Sequence, residues 1–433
     1  MTLPPGTSML PSFQTAAWVA RPVPFMERCR AEFGDVFTVR LAQVGTFVFV
    51  SDPELLKGVF RGNPEQLRAG AANVPLEPIL GSRSVLLLDG AEHLRQRKLM
   101  LPPFHGERLR GYEELIAEIA EDEMRHWPSG EPIELQPRMQ AITLEVILRV
   151  VFGMDRGPAL VHLRDVLKKL LDVTARPWAL IPQLRRDLGP WSPWTRFLAA
   201  RQDVDDALFA EIARRREDPT LAERTDIFSM LMQARDEDGE PLTDRELRDE
   251  LVTLLVAGHE TTATGLAWAF ERLVRHPGAL ERLTSDGDRE YADAVVQETL
   301  RLRPPIPIVA RSVTGSPYQL GEWSIPPGVR IAPCIYLVHR RADLYPEPYA
   351  FRPERFLEQP PETYSWLPFG GGVRRCIGAS FAVLEMSTVL RAVARRLRVS
   401  AVGDAPVPAE RVARRAIVFG PNRGGSVVVR PAA

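Results

Sequence analysis

Apolar residues recur along this chain at two spacings, and most of the elements they predict are helices. From Tyr112 to Arg216 they return every three or four positions, the interval of a helix with one buried face. A central stretch containing Pro177, Trp178, Pro182, Gly189, Pro190, Trp191, Pro193 and Trp194 interrupts that pattern. Tyr291 to Leu302 turns Ala292, Val295, Val296, Thr299 and Leu300 inward and stops at Pro304-Pro305. Thr243-Asp244-Arg245-Glu246 has the threonine and glutamate of a capping box. It opens a helix predicted to reach about His276, before Pro277, a length of about 48 Å. That helix is apolar nearly all round, so it is predicted to cross the core.

Its middle breaks the rule. Gly258-His259-Glu260-Thr261-Thr262 combines a glycine, which costs about 1 kcal/mol of helix stability, with a carboxyl that should not be buried unpaired. Such local conflicts concentrate at functional sites.

The second spacing is that of strands. Residues 36–41 and 46–50, rich in Val, Phe and Thr and joined by a glycine-containing turn, predict a hairpin. Asp52-Pro53 predicts a helix start after it. Ile331 to Leu337 and Ser426 to Val429 predict a further small β region, with Ile417 to Phe419 at a turn able to touch a ligand. The fold class is therefore mainly α with a small β portion. Ala69 to Leu88 is apolar without periodicity, broken by Pro75, Pro78 and Gly81, and is predicted to be a long apolar loop packed on the core. The tryptophan-rich stretch is either a lid or ordinary core packing.

Composition narrows the setting. The 433 residues contain no serine- or glycine-rich linker, so residues 1–433 are expected to form one domain. Hydrophobic residues are 45% and charged residues 26%, enough for a large core. A net charge of −1 gives no electrostatic case for nucleic acid or an anionic membrane as partner. Cys29, Cys334 and Cys376 are too scattered for a disulfide framework or a four-ligand zinc site, which fits a reducing cytoplasm. Met1 to Ala20 has neither a basic leader nor an apolar run of about 20 residues, so a soluble monomer without a membrane anchor is expected.

The candidate chemistry lies at Phe369-Gly370-Gly371-Gly372-Val373-Arg374-Arg375-Cys376-Ile377-Gly378. After Gly378, the spacing of Ala379, Phe381, Ala382 and Leu384 predicts a helix, which places Cys376 just before its N-terminus. The helix dipole, first-turn N–H groups, Arg374 and Arg375 would favour a thiolate there. The glycines would let the backbone approach a flat, bulky ligand. A zinc ligand, a nucleophile and a buried core residue all remain open for Cys376 on these grounds. His93 and Arg97, at i and i+4 of a helix predicted from Ala91 to Leu99, could grip one anionic group or form a solvated basic face. Glu298 and Arg301, at i and i+3, would ordinarily be a surface pair.

Together these stretches resemble the cytochrome P-450 haem-thiolate monooxygenases of the soluble bacterial type. Phe369, Gly372, Arg374, Cys376 and Gly378 match the cysteine-ligand signature, and Ala257 to Thr262 match the oxygen-activation motif. Glu298, Arg301 and the Arg355 of Pro353-Glu354-Arg355-Phe356 match the structural triad, and His93 with Arg97 matches a basic pair of the bacterial members. The resemblance implies the cytochrome P-450 fold, with its long central helix over the haem. It implies haem b (iron protoporphyrin IX), with Cys376 as metal ligand and His93, Arg97, Arg311, Phe369, Gly370, Arg374 and Gly378 around the cofactor. Cleaving the O–O bond of dioxygen needs two protons, and by resemblance Thr261 holds a water for them while Glu260 relays them. A hydroxyl in a helix can instead bond back to a carbonyl and bend it, which is the alternative for Thr261.

The implied activity inserts one atom of O2 into a nonpolar substrate of secondary metabolism, such as a fatty acid, terpenoid, steroid or polyketide, by hydroxylation or epoxidation. Electrons would come from a ferredoxin and its reductase, or from a flavodoxin, docking on a basic patch of Arg95, Lys98 and Arg375. A peroxide-driven peroxygenase and a non-catalytic haem-binding sensor are the alternatives.

Overall fold

A computed structural model describes residues 3–104, 106–174, 185–187, 189, 191–286, 288–403 and 408–432. The capping box forms: Thr243 Oγ1 accepts the Glu246 N–H at 3.2 Å and the Glu246 carboxylate accepts the Thr243 N–H at 2.8 Å. The helix it opens, Asp244–Leu273, has 30 residues and ends a few residues short of the expected His276. Most of it is buried against the helices Leu135–Val146, Arg289–Leu302 and Ala379–Arg396. A side chain at Gly265 would fall 2.8 Å from Met386 Cε, so glycine there lets the helix after the cysteine pack close. Trp268, fully buried, donates its indole N–H to the Phe419 carbonyl at 2.9 Å and ties a C-terminal hairpin to the long helix.

One stretch of this core helix is not buried. Ala257 is exposed, and Leu254, Val256, Gly258, Glu260 and Thr261 are half-exposed, although the helix is enclosed on both sides of them. The polar break read from the sequence is therefore the place where the core opens onto an internal space.

The β portion is small and split. Val36–Leu41 and Gly45–Val50 pair antiparallel, with Val36 opposite Val50. Gly45–Val50 pairs in parallel with Arg330–Pro333, and Arg311–Val313 and Leu67–Arg68 complete a five-stranded sheet. Ser426–Pro431 lies between Leu397–Ala401 and the short strand Pro132–Glu134, which the periodicity does not reveal. The run predicted as a strand over residues 331–337 is a strand only to Pro333 and then turns into the helix Ile335–Val338. Of the tryptophan-rich stretch, Trp191 is 84% exposed and Trp194 stacks on Phe197 at 4.9 Å. Pro177, Trp178, Pro182 and Pro190 lie outside the described residues.

The stretch expected as a loop over residues 69–88 is helical in its first part. Residues 69–80 form the helices Ala69–Asn73 and Glu77–Leu80 with a 3-10 turn at Val74–Leu76 between them, each too short for periodicity to register, while residues 81–88 are turns without helix or strand. Side chains from elsewhere satisfy the backbone of this segment. Arg201 donates to Pro78 O (3.2 Å) and Arg248 to Leu80 O (3.1 Å), while Asp249 accepts the Arg83 N–H (2.9 Å) and Glu250 the Val85 N–H (2.7 Å). Glu250 is fully buried, and that burial pushes its pKa up to about 8.

A carboxyl with a raised folded pKa binds a proton in the native state that the unfolded chain has released. Its contribution to stability is thus lost as pH rises from the ordinary carboxylate range to about 8. Glu250→Gln is expected to gain stability over the wild type as pH rises through that window, by up to about 1.4 kcal/mol per pH unit, in urea unfolding at pH 5 and pH 8. A constant difference between the two proteins at both pH values would contradict the assignment.

Candidate active site

The glycine-rich loop folds back on itself and then enters the helix Ala379–Arg396, whose N-cap is Gly378. Cys376 donates its N–H to Phe369 O at 2.9 Å, and Phe369 packs edge-on against Trp366 at 5.8 Å. The glycines divide into two kinds. Gly372 has φ +65°, and a Cβ there would stand 2.2 Å from the Phe60 carbonyl. One at Gly371 would stand 3.0 Å from the Phe60 ring. These two are seated against the helix Pro53–Arg61. A Cβ at Gly370 or Gly378 meets nothing within 4 Å, so these positions keep the loop's other side smooth and open.

Cys376 is exposed, yet it is surrounded by protein mass that raises its thiol pKa above the ordinary range. It therefore faces an enclosed space and not the outer surface. The Gly378 N–H and the guanidiniums of Arg97 and Arg375 act in the opposite direction and favour negative sulfur. Burial outweighs them, so the thiol pKa is raised and not lowered as the sequence reading expected.

Around this space the fold gathers unbalanced positive charge. His93 is buried, and its pKa is held down to about 3 by burial and then by Arg374, Arg97 and Arg311. Among the described residues, the Arg97 guanidinium makes no hydrogen bond or ion pair, and loss of solvent lowers its pKa. Arg311 is buried, donates only to the carbonyl of its neighbour Ala310 at 2.9 Å, and falls to about 10. Arg374 is differently used: it pairs with Asp89 at 2.6 Å and donates to Val85 O at 3.1 Å and to Leu88 O. A haem fits this donor set. Cys376 would hold its iron, and its carboxylates would meet Arg97, Arg311 and His93, whose side chains pair with no carboxylate among the described residues.

On the long helix, Glu260 accepts from Gln140 at 2.5 Å and from Gln136 at 3.2 Å. Gln136 also donates to Thr264 at 3.0 Å. Burial raises the Glu260 pKa, while the Gln140 hydrogen bond and Arg415 restrain the rise. Thr261 donates its hydroxyl to Ala257 O at 2.6 Å, which is the back-bond described as the alternative for this residue. The proton is committed to the helix, but the oxygen keeps lone pairs on the open stretch. His259 is buried, and its ring bonds Thr143 at 2.8 Å.

Behind the cysteine, Glu298 and Arg301 are fully buried and doubly bonded, at 2.6 and 2.8 Å, and Arg355 joins Glu298 at 3.2 Å. Arg301 also donates to the carbonyls of His339, Pro348 and Ala350. The expected basic patch is not formed. Arg95 pairs with Asp236 at 2.6 Å and Glu246 at 3.2 Å, and Lys98 with Glu237 at 2.7 Å, so of the three residues Arg375 is left. Sequence reading missed Gln136, Gln140, Asp89 and His339. The two glutamines sit at i and i+4 on a helix that packs on the long one, which was a usable signal; Asp89 and His339 gave none.

Comparisons with known proteins agree with this geometry. The family model described as Cytochrome P450 matches residues 4–424. A protein provisionally named cytochrome P450 135B1 from Mycobacterium tuberculosis is 43% identical over 439 residues, covering 99% of this chain and 92% of the relative. One provisionally named cytochrome P450 137 from the same species is 39% identical, covering 99% and 91%. Among solved structures, the retinoic acid-bound cyanobacterial CYP120A1 matches with a TM-score of 0.85 at 24% identity over 100% of both chains. CYP175A1 from Thermus thermophilus matches with a TM-score of 0.77 at 27% identity, over 99% and 100%.

The two kinds of glycine make a prediction. Gly372→Ala must abandon a positive φ and clash with Phe60 backbone, and is expected to destabilise the protein by about 2 kcal/mol or more. Gly111→Ala, with nothing within 4 Å of its Cβ, is the control and should change stability little. Equal melting temperatures for the two variants would contradict the packing described.

Proposed function

The chain belongs to the cytochrome P450 family and is in general terms a haem-thiolate monooxygenase; from that premise we propose the finer reading that follows. One domain spanning residues 1–433 binds haem b and hydroxylates or epoxidises a nonpolar substrate, with electrons delivered by a ferredoxin and its reductase or by a flavodoxin. The observation that carries this is the pair Glu260 and Thr261 on the open stretch of the long helix, with Glu260 held by Gln140 and Gln136.

Cys376 would hold the iron, and Arg97, Arg311 and His93 would hold the carboxylates. Phe369, Gly370 and Gly378 shape the loop side, and Arg374 braces the loop against Asp89 and residues 85–88. The chemistry that a haem bound there supplies is reductive activation of dioxygen, one oxygen atom going to the substrate and the other to water.

The protein's own groups move the protons. The Glu260 carboxyl, with its pKa raised by burial, stays protonated closer to neutral pH than an ordinary carboxyl and can both give and regain a proton. Gln140 and Gln136 fix its orientation. Thr261 offers its oxygen as acceptor to a water that receives that proton. The half-exposed Leu86, Leu87, Leu254 and Val256 supply apolar contacts that suit a nonpolar ligand such as a fatty acid, terpenoid, steroid or polyketide. On this reading the protein is cytoplasmic; among the described residues no helix is long and apolar enough to cross a membrane.

With a surrogate ferredoxin, its reductase, NADH and a substrate found by ligand screening, Glu260→Gln and Thr261→Ala are each expected to lower product per NADH by about 10-fold or more. Oxygen consumption should continue in both, with hydrogen peroxide released. Wild-type yields in both variants would contradict the proton route. Product formed from peroxide and not from the redox chain would favour a peroxygenase.

A further inference from the structure

The start of the cysteine loop is held by a buried imidazole. Cys376 donates its N–H to Phe369 O, and Gly370 donates its own to Leu367 O, both at 2.9 Å, so residues 367–369 set where the cysteine's main chain lies. Pro368 has no N–H with which to anchor this segment. Leu367 does, and donates it to His339 Nε2 at 2.8 Å. The other ring nitrogen, Nδ1, lies 3.1 Å from Arg301 O. A carbonyl only accepts and an amide N–H only donates, so Nδ1 carries the proton and Nε2 is the bare nitrogen.

His339 is fully buried, and the groups facing it are Arg301, Arg340 and the edge-on ring of Tyr345 at 6.4 Å. Arg301 returns a hydrogen bond to His339 O at 2.7 Å. Burial and the two guanidiniums hold the imidazole neutral, with its pKa well below the usual value. A protonated ring would set two N–H donors against each other at Leu367.

We propose that His339 is a positioning residue for Cys376: its Nε2 lone pair holds Leu367, and through Phe369 fixes the cysteine where its sulfur can serve as the axial ligand. The ion cluster of Glu298, Arg301 and Arg355 thereby reaches the loop through a side chain that no motif in the chain marks. The proposal rests on the haem-thiolate reading. It adds to that reading a residue that touches neither cofactor nor substrate.

Two substitutions separate positioning from mere filling of space. His339→Asn keeps a donor for Arg301 O but has no acceptor that reaches Leu367. His339→Gln can reach the Leu367 N–H with its side-chain oxygen. Each haem-loaded variant would be reduced under carbon monoxide, and its iron potential and melting temperature measured. The Gln variant is expected to keep the wild-type thiolate band. The Asn variant is expected to lose it in favour of the thiol-ligated band, by about 10-fold in their ratio, with a raised potential and a melting temperature matching that of the Gln variant.

An Asn variant with wild-type band and potential, or a Gln variant as impaired as Asn, would overturn the proposal. Should neither variant fold, 15N spectra of the wild-type imidazole decide it without haem. A neutral Nδ1–H tautomer that does not titrate between about pH 6 and 8 is expected, and an Nε2–H tautomer or ordinary titration refutes it. A wild type lacking any thiolate band would instead count against the haem-thiolate reading itself.

Discussion

Burying a guanidinium is tolerable only when something negative is buried with it, and the interior of this protein treats its arginines in two opposite ways. Arg301 is fully satisfied by two contacts to Glu298 and three main-chain carbonyls. Arg311 is also buried but its guanidinium meets one carbonyl, and the Arg97 guanidinium has no hydrogen-bond or ion-pair partner among the described residues. The first pattern is that of a scaffold and the second that of a site awaiting an anion. The same distinction separates Arg374, matched by Asp89, from the two arginines it neighbours.

Around that charge imbalance the other features make sense together. The long helix is buried over most of its length and more open around Ala257, Gly258, Glu260 and Thr261, so an acid and a hydroxyl stay partly exposed within the core. The glycine-rich loop sets Cys376 beside Arg97 and Arg375, with Gly371 and Gly372 seated on Phe60 and Gly370 and Gly378 left uncrowded. Residues 75–85 have little regular backbone pairing of their own and borrow partners from Arg201, Arg248, Asp249, Glu250 and Arg374. That segment is thus stitched to the helix and loop that carry the chemistry.

How much of this was legible beforehand follows from the range of the interactions. The capping box, the long helix, the first hairpin and the Arg289–Leu302 helix are local patterns and could be read directly. The helices within residues 69–80 are only three to five residues long, below the length at which a period can be seen. Glu260, Thr261, Cys376 and the basic residues could be named because their motifs are compact. Their partners could not, since Arg374 meets Asp89 across 285 positions and His339 meets Leu367 across 28. The basic patch failed for the same reason: Arg95 and Lys98 are cationic in their own helix and neutralised by acids far along the chain.

The central claim is that Cys376, set before a helix in an arginine-lined interior, is the thiolate ligand of a haem. The absorption spectrum of the reduced, carbon monoxide-bound protein tests it most directly, with Cys376→Ser beside the wild type. The account predicts the red-shifted Soret band of thiolate ligation in the wild type and its absence in the serine variant. A protein that binds no haem, or a serine variant that keeps the band, would contradict it.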